Sequence, residues 1–425
     1  MSVVASLPPE LRSSIPGPRS VALAERLASV ESRNVTALAP QAPIFWERAR
    51  AANVWDVDGN RFLDLGSAFG VANVGHSHPR VVDAVREQAE RLLHGMGDVQ
   101  PPAVKVALLE ALVRRFPAAV PARGVLGSSG ADAVETALKT ALLHSGQPGV
   151  LAFEGGYHGL SLGALDTTER SDFRRPFEAR LPHRTVFARY GDLSDVERTA
   201  DRSPQPIGAV LVEPIQGRGG VRVPPDGFLA GLRSLCDRRG WLLIVDEIYT
   251  GFGRSGRWFA CEAENVVPDL LCVGKGLASG LPISACLGRE EVMKAWPRSS
   301  GEALHTQTFL GHPVGCAAAL ASLAVLEEEK LVERSAELGA LALDQLNRLL
   351  GDRPGVVEVR GRGLMLGIEC DTPGRAKRTC ARALSRGVIL LPAGRDGRVL
   401  SITPPLCIEA EILRSGLDCL AECLS

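Results

Sequence analysis

Two short apolar runs, each followed by an ionisable side chain, constrain this 425-residue chain more than any other feature. Residues 241–245 run directly into Asp246, and residues 270–273 are followed by Gly274 and Lys275. Removing an ionised carboxylate or amine from water is costly unless a partner compensates for the lost hydration. Two groups of opposite charge at the ends of neighbouring strands therefore indicate a polar ligand bound between them.

Lys275 is the candidate for covalent chemistry. It follows an apolar strand and lies between Gly274 and Gly276, which let a bulky ligand approach the backbone closely. A desolvated lysine near another cation has a lowered pKa and becomes a nucleophile. The alternative is an ordinary lysine in a loop. The other five lysines lie on predicted helices or in polar flanks and are expected to be solvated: Lys105, Lys139, Lys294, Lys330 and Lys377.

Asp246 is the candidate acid of the same site. Pyridoxal phosphate (PLP) requires a lysine that forms a Schiff base and an acid that keeps the pyridine nitrogen protonated. A carboxylate beside that nitrogen favours its protonated form, which makes the ring an electron sink. The alternatives are a turn or capping aspartate, and the neighbouring Glu247 as the acid.

A glycine- and serine-rich loop precedes a predicted helix and is suited to a phosphate. In Gly127-Ser-Ser129-Gly130-Ala131-Asp132, the backbone N–H groups of Gly130 and Ala131 and the hydroxyl of Ser129 are candidate donors. Free N–H groups at a helix N-terminus, with the helix dipole behind them, favour an anion. The loop lacks the lysine of a nucleotide-hydrolysing P-loop. The alternative is a plain helix cap.

A tyrosine between glycines is the candidate for contact with the cofactor ring. Tyr157 lies in Glu154-Gly-Gly-Tyr157-His158-Gly159, directly after a predicted strand. An aromatic side chain in such a loop can lie flat against a pyridine ring. The alternative is a tyrosine of the hydrophobic core.

The order of helical and strand patterns predicts an α/β fold with a mostly parallel sheet covered by helices on both faces. We expect a large domain at residues 76–334, a smaller α+β domain at 335–425, and an N-terminal segment, 1–75, that belongs to the small domain. Asp58-Gly59-Asn60 predicts a hairpin turn. Further predicted strands are 149–153, 207–212, 283–287 and 388–391, and one long helix is predicted at 314–331.

Composition excludes several classes of function. The net charge is −1, with 48 basic and 49 acidic residues interspersed, so no basic surface for a nucleic acid is predicted. No apolar run reaches the length that spans a bilayer, and none resembles the core of a signal peptide. The ten cysteines are scattered and suit a reducing, cytoplasmic compartment. No metal site is predicted.

Motifs spread over much of the chain carry a resemblance to a known family. They are Asn73-Val-Gly-His76-Ser-His78-Pro79, Tyr157-His158-Gly159, Glu213-Pro-Ile-Gln216-Gly, Val245-Asp-Glu-Ile-Tyr249-Thr-Gly-Phe-Gly-Arg254, Gly274-Lys275-Gly and Thr308-Phe-Leu-Gly-His-Pro313. In order and spacing they resemble the class III (omega) aminotransferases, PLP-dependent transferases of fold type I. The resemblance covers about residues 43 to 405.

The resemblance implies an enzyme that moves an amino group between an amine or amino acid and a keto or aldehyde acceptor. It implies that Lys275 carries the cofactor and shuttles the proton, and that Asp246 pairs with the pyridinium. A homodimer with shared active sites is also implied, in which Thr308 reaches the cofactor of the neighbouring subunit. The full cofactor-binding set is Ser129, Gly130, Ala131, Tyr157, His158, Glu213, Asp246, Tyr249, Lys275 and Thr308. The alternatives are a PLP-dependent amino-acid racemase or lyase, and a non-catalytic protein of the same fold.

The chain departs from the family pattern around the substrate. Members often carry glutamine where this chain has Tyr249, whose hydroxyl is able to take the same bond to the cofactor while its bulk reshapes the pocket. Members that act on α-amino acids carry an arginine at the position of Ser401 and a glutamate at that of Arg218. The usual carboxylate clamp is therefore absent. Arg218, Arg395 or Arg398 is left as its replacement, and the alternative for each is a solvated arginine.

Overall fold

A computed structural model describes residues 5–37 and 43–424. Residues 1–4 and 38–42 of the predicted N-terminal segment, and residue 425 of the predicted small domain, lie outside the described residues. The helices of the described ranges are α1 Pro18–Val30, α2 Ser67–Gly70 (one distorted turn), α3 Pro79–Arg91, α4 Ala103–Val113, α5 Gly130–Ser145, α6 Leu162–Asp166, α7 Ser171–Arg174, α8 Leu193–Asp201, α9 Phe228–Arg239, α10 Glu290–Met293, α11 Pro313–Glu328, α12 Leu331–Leu350, α13 Pro373–Ser385 and α14 Ala410–Cys423.

The strands fall into three sheets. They are β1 Trp46–Arg50, β2 Asn53–Asp56, β3 Arg61–Asp64, β4 Ala122–Gly127, β5 Gly149–Phe153, β6 Thr185–Ala188, β7 Ile207–Val212, β8 Leu242–Asp246, β9 Leu270–Val273, β10 Ser284–Arg289, β11 Val356–Arg362, β12 Met365–Cys370, β13 Val388–Ile389, β14 Leu391–Ala393 and β15 Val399–Ile402.

The central sheet has seven strands in the order β4-β10-β9-β8-β7-β5-β6. The neighbours from β9 to β6 pair in parallel, and β10 pairs antiparallel with both β9 and β4. Every residue of β7, β8 and β9 is buried, as expected for parallel strands whose two faces are both covered. The predicted α/β fold with a mostly parallel sheet is confirmed.

The two other sheets each have four strands, in the orders β1-β2-β3-β13 and β11-β12-β15-β14. The predicted hairpin turn at residues 58–60 is confirmed, because β2 and β3 pair antiparallel across it. Val388 pairs in parallel with Leu63, so N-terminal strands share a sheet with a strand from the C-terminal part of the chain. The single strand predicted at 388–391 is wrong, because β13 and β14 belong to different sheets. The domain limits stay a prediction.

The helix predicted at 314–331 is also wrong at its C-terminal end. α11 ends at Glu328, Lys330 takes a left-handed conformation with φ of 51°, and α12 begins at Leu331. Sequence analysis missed the strands β4 and β6: β4 lacks a continuous apolar run, and β6 has only four residues. β4 contains Arg123, Gly124 and Gly127, and lies at the sheet edge.

Lys105 departs from the expectation of a solvated lysine. Its Nζ donates to the carbonyl oxygen of Gly97 at 2.5 Å, and partial burial lowers the pKa of the amine.

In the described ranges we find no helix whose length and apolar character would let it cross a membrane. The same residues contain no group of three or more His, Cys, Asp or Glu side chains arranged to hold a metal ion.

Arg254 is a fully buried guanidinium that ties three parts of the chain together. Nη1 donates to the carbonyl oxygens of Leu364 (2.9 Å) and Pro404 (2.6 Å), and Nη2 donates to Oδ1 of Asn73 (2.8 Å). Burial lowers the pKa of Arg254 to about 10. The guanidinium therefore relies on neutral oxygens, drawn from the N-terminal and C-terminal segments, in place of water.

We expect Arg254→Ala to lower the free energy of unfolding by about 3 kcal/mol or more, because three buried oxygens lose their donors and a cavity remains. Urea denaturation followed by circular dichroism measures the change. The control is Arg257→Ala, which removes an exposed arginine three residues away and should change the same free energy by less than about 0.5 kcal/mol. Equal effects of the two substitutions would contradict this role for Arg254.

Candidate active site

The candidate site lies at the carboxyl ends of β8 and β9. Asp246 is the last residue of β8, and Lys275 follows β9 by two residues. Because these neighbouring strands are parallel, both side chains reach the same edge of the sheet and face one cavity of about 330 Å³. The cavity is lined by Gly130, Ala131, Tyr157, His158, Gly159, Leu160, Glu213, Arg218, Asp246, Ile248, Tyr249 and Lys275.

Asp246 is buried and held from two directions. Its Oδ2 lies 2.7 Å from Nδ1 of His158, and its Oδ1 accepts the backbone N–H of Ile248 at 3.0 Å. Glu247 is excluded from the cavity, since its carboxylate accepts the N–H of Cys261 at 2.8 Å and the hydroxyl of Thr250. Burial raises the pKa of Glu247 to about 7. Asp246, and not Glu247, is therefore the acid that the cavity presents.

Lys275 lies deep in the protein, with part of its side chain exposed to the cavity. Desolvation lowers the pKa of the amine, and the nearby carboxylates of Asp246 and Glu213 partly oppose that change. The backbone is strained here, with φ of 40° at Lys275. A Cβ on Gly276 would lie 2.3 Å from Nδ2 of Asn73, so the turn after the lysine requires glycine. An amine made less basic by burial is suited to nucleophilic attack.

The loop before α5 forms an open anion cradle. Ser129 is the N-cap, and its hydroxyl oxygen accepts the N–H of Asp132 at 3.2 Å, which leaves the hydroxyl hydrogen free to donate. Within residues 5–37 and 43–424, the N–H groups of Gly130 and Ala131 meet no acceptor. The side chain of Asp132 turns back onto the N–H groups of Ser128 and Ser129. Unpaired N–H groups at a helix N-terminus fit a phosphate.

Tyr157 and Ile248 line the same cavity as Asp246 and the residues of the cradle. Ile248 packs closely on the helix start, because a Cβ on Gly130 would lie 3.0 Å from its Cδ1. Sequence analysis missed Ile248, which lies in the turn that follows β8. It also missed Gly159 and Leu160, which belong to the loop that carries Tyr157.

Glu213 is a buried carboxylate that organises two loops. Oε1 accepts the N–H of Tyr157 and Oε2 accepts the N–H of Gly217, both at 3.0 Å. Burial raises the pKa of Glu213 to about 7, a rise that the nearby Asp246 reinforces. Through these bonds Glu213 fixes the loop of Tyr157 relative to the loop that contains Arg218.

Tyr249 is accommodated between two glycines. A Cβ on Gly70 would lie 2.1 Å from its Cε2, and a Cβ on Gly217 would lie 2.1 Å from its Cδ1. The hydroxyl oxygen lies 3.3 Å from Oγ1 of Thr403, and Nζ of Lys275 lies 4.3 Å from the centre of the ring. The hydroxyl expected to reach a cofactor is thus bonded to Thr403, and the Tyr249 ring forms a wall of the lysine pocket.

Thr308 stands apart from the other predicted residues. It is exposed and does not line the cavity, whereas its neighbour Gln307 donates to Oδ2 of Asp132 at 3.2 Å. Ser129 caps the helix beside the cavity. Every other predicted site residue lines the cavity itself.

The residues present fit PLP. Lys275 supplies an amine of lowered pKa, Asp246 supplies a fixed carboxylate, and the start of α5 supplies N–H groups that lack acceptors in the described chain. Tyr157 and Ile248 supply apolar surface for a flat ring. An amine, an acid and an anion cradle around one cavity suit Schiff-base chemistry on a phosphorylated pyridine.

Comparison with known proteins supports this reading of the cavity. Residues 35–424 match the family described as Aminotransferase class-III. The 4-aminobutyrate aminotransferase of Mycobacterium leprae is 38% identical, over 98% of each chain. The acetylornithine aminotransferase of Methanopyrus kandleri is 41% identical, over 90% of this chain and 94% of its own.

Solved structures of aminotransferases share the fold of this chain. The ornithine aminotransferase of Toxoplasma gondii superposes with a TM-score of 0.87 at 31% identity, covering 98% of this chain and 96% of its own. An amine transaminase from an uncultivated Pseudomonas species, in its PLP-bound form, gives a TM-score of 0.83 at 30% identity, over 92% of this chain and 98% of its own. The fold is that of the PLP-dependent transaminases.

The chain belongs to the class III aminotransferase family. It is a PLP-dependent enzyme that transfers amino groups.

We expect Gly217→Ala to be destabilising by about 1–3 kcal/mol, because the new Cβ overlaps the Tyr249 ring. In a Tyr249→Gln background the same substitution should cost less than about 0.5 kcal/mol, since the ring is gone. A double-mutant cycle from urea denaturation gives the coupling. Additive free energies would show that the ring does not press on Gly217.

Proposed function

We propose that Lys275 is the residue that carries PLP and moves the proton during amino transfer, with Asp246 as the partner of the pyridine nitrogen. The observation that carries this proposal is the placement of a lysine of lowered pKa and a fixed carboxylate around one cavity. When bound, PLP supplies an electron sink that weakens a bond at the amine-bearing carbon of the substrate.

The remaining residues of the site bind and orient the cofactor. Gly130 and Ala131 donate backbone N–H groups to the phosphate, and Ser129 donates its hydroxyl. Tyr157 covers the pyridine ring, His158 keeps Asp246 in place, and Glu213 holds the Tyr157 loop. Tyr249 walls the lysine amine on one side, which limits the paths along which it can move a proton.

We also propose a homodimer with shared active sites, in which Thr308 contacts the cofactor of the partner subunit. Thr308 is exposed, and large exposed apolar side chains occur near it in the sequence and along residues 92–106. Phe309 lies 5.5 Å from the ring of His94, which joins the two segments into one surface. Its exposed apolar members are Leu92, Leu93, Met96, Val99, Val106, Leu304 and Phe309.

Light scattering of the PLP-loaded protein tests the dimer. We expect twice the 45.2 kDa of one chain. Met96→Glu, which places a charge in the apolar surface, should shift the mass toward that of one chain, whereas Val30→Glu, on the exposed side of α1, should not. A wild-type protein of one chain's mass with full activity would refute shared sites.

The substrates are proposed as an amine or amino acid donor and a keto or aldehyde acceptor. Relatives are named for 4-aminobutyrate, acetylornithine, 2-aminoadipate and 5-aminovalerate.

All ten cysteines are free, which suits the reducing cytoplasm proposed as the location. Cell fractionation tests that location, and recovery outside the cytoplasm would refute it.

Conversion of the bound cofactor to its pyridoxamine form by an amine donor tests the catalytic assignment. We expect Lys275→Ala to slow this conversion by about 10²- to 10⁴-fold, because the proton carrier is lost. Lys139→Ala, which removes a lysine outside the cavity, should leave the rate unchanged. Unimpaired conversion in Lys275→Ala would overturn the role of Lys275.

A further inference from the structure

We infer that Arg218 is the receptor for a carboxylate on the substrate, so that the enzyme favours amines that carry an acid group. This inference rests on the proposed function, because it names the substrate class of the same cavity. Arg218 follows Gly217 and lines the same cavity as Lys275.

The Arg218 guanidinium faces the cavity without an acid partner. It lines the cavity together with Lys275 and is half-buried. Its Cζ lies 5.4 Å from the Tyr157 ring and 5.7 Å from the Phe69 ring, so aromatic surfaces flank it. In the part of the chain that the structure describes, its side chain makes no ion pair and no hydrogen bond. The planar fork of donors is therefore free for a ligand, and it matches a carboxylate.

The two other candidate arginines are engaged elsewhere. Arg395 is 73% exposed and lies 3.8 Å from a carboxylate oxygen of Glu169. Arg398 pairs with Asp396 at 2.6 Å. Neither lines the cavity. Of the three arginines that the sequence left open, Arg218 alone meets the lysine pocket.

The Arg218 loop is held rigidly on both sides. Gly217 donates its N–H to Glu213, and the carbonyl oxygen of Arg218 accepts the N–H of Gly394 at 3.0 Å. Nη2 of Arg360 donates to the carbonyl oxygen of Gly220 at 2.7 Å. A backbone fixed at these points reduces the ordering that binding would otherwise require.

Phe69 reaches Arg218 from a strained turn. Every residue of α2, Ser67–Gly70, has a positive φ, a left-handed conformation that side chains rarely adopt. The Asp64 carboxylate accepts the N–H groups of Gly66 at 2.8 Å and Ala68 at 3.2 Å, which offsets the strain locally. The turn leaves Phe69 47% exposed, with Arg218 over its ring. Strain of this kind persists where the surrounding structure holds a functional geometry.

A matched pair of donors tests the inference. 4-Aminobutyrate and n-butylamine each contain four carbons. The first ends in a carboxylate where the second ends in a methyl group. L-Alanine and ethylamine form a second pair for a carboxylate next to the amine. For each donor, KM and kcat of cofactor conversion are measured in the wild type, Arg218→Gln and Arg218→Lys. Arg395→Gln is the control, because it removes an exposed arginine outside the cavity.

We expect the wild type to prefer the carboxylate-bearing member of at least one pair. Arg218→Gln should raise KM for that donor by about 10- to 100-fold, with little change in kcat or in KM for its uncharged partner. The KM of Arg218→Lys for that donor should lie between the values of the wild type and Arg218→Gln, since lysine keeps the charge but lacks the planar fork of donors. Equal losses for both members of the pair, or a wild type without preference for the carboxylate, would overturn the inference.

Binding of glutarate separates this inference from the proposed function. Its dissociation constant is obtained from the change in visible absorbance of the bound cofactor, without turnover. We expect about 10- to 100-fold weaker binding in Arg218→Gln and unchanged binding in Arg395→Gln. If no donor converts the cofactor but glutarate binding still depends on Arg218, amino transfer fails and the receptor stands. If donors react but neither the KM of the carboxylate-bearing donor nor the binding of glutarate depends on Arg218, the role of Arg218 as receptor fails and amino transfer stands.

Discussion

The enclosure of a lysine amine with two carboxylates at one edge of the central sheet is the constraint on which the site depends. Lys275, Asp246 and Glu213 lie where water cannot solvate them fully, so each requires fixed partners. His158 holds Asp246, and the N–H groups of Tyr157 and Gly217 hold Glu213. The loops that border the cavity are thus positioned by the same bonds that make its charges tolerable.

Neighbouring segments are fitted to this arrangement by close contact. Tyr249 fills the space beside the lysine only because Gly70 and Gly217 lack a Cβ. Arg254 then joins the segment containing Asn73 to the C-terminal part of the chain through buried hydrogen bonds. A substitution in the pocket is therefore expected to act on several segments at once, which is why matched control variants are needed to separate binding from stability.

The sequence predicts the parts of the site that local patterns define. Asp246 and Lys275 follow continuous apolar strands, and Gly130 and Ala131 follow a glycine-rich loop, so their positions depend on local structure. Ile248 and the choice of Arg218 depend on how distant loops meet, which no local pattern encodes. The left-handed turn at Ser67–Gly70 was missed for the same reason, because tertiary contacts override local preference there. The edge strand β4 was missed because it lacks a continuous apolar run. The contact of Thr308 with a partner subunit stays a prediction.

The central claim is that Lys275 is the residue that carries the cofactor. Borohydride reduction of the PLP-loaded protein, followed by peptide mass spectrometry, locates the phosphopyridoxyl group among the six lysines. We expect the group on Lys275 alone. Its recovery on Lys105, which also has a lowered pKa, or on any other lysine would contradict the assignment of Lys275 as the residue that carries the cofactor.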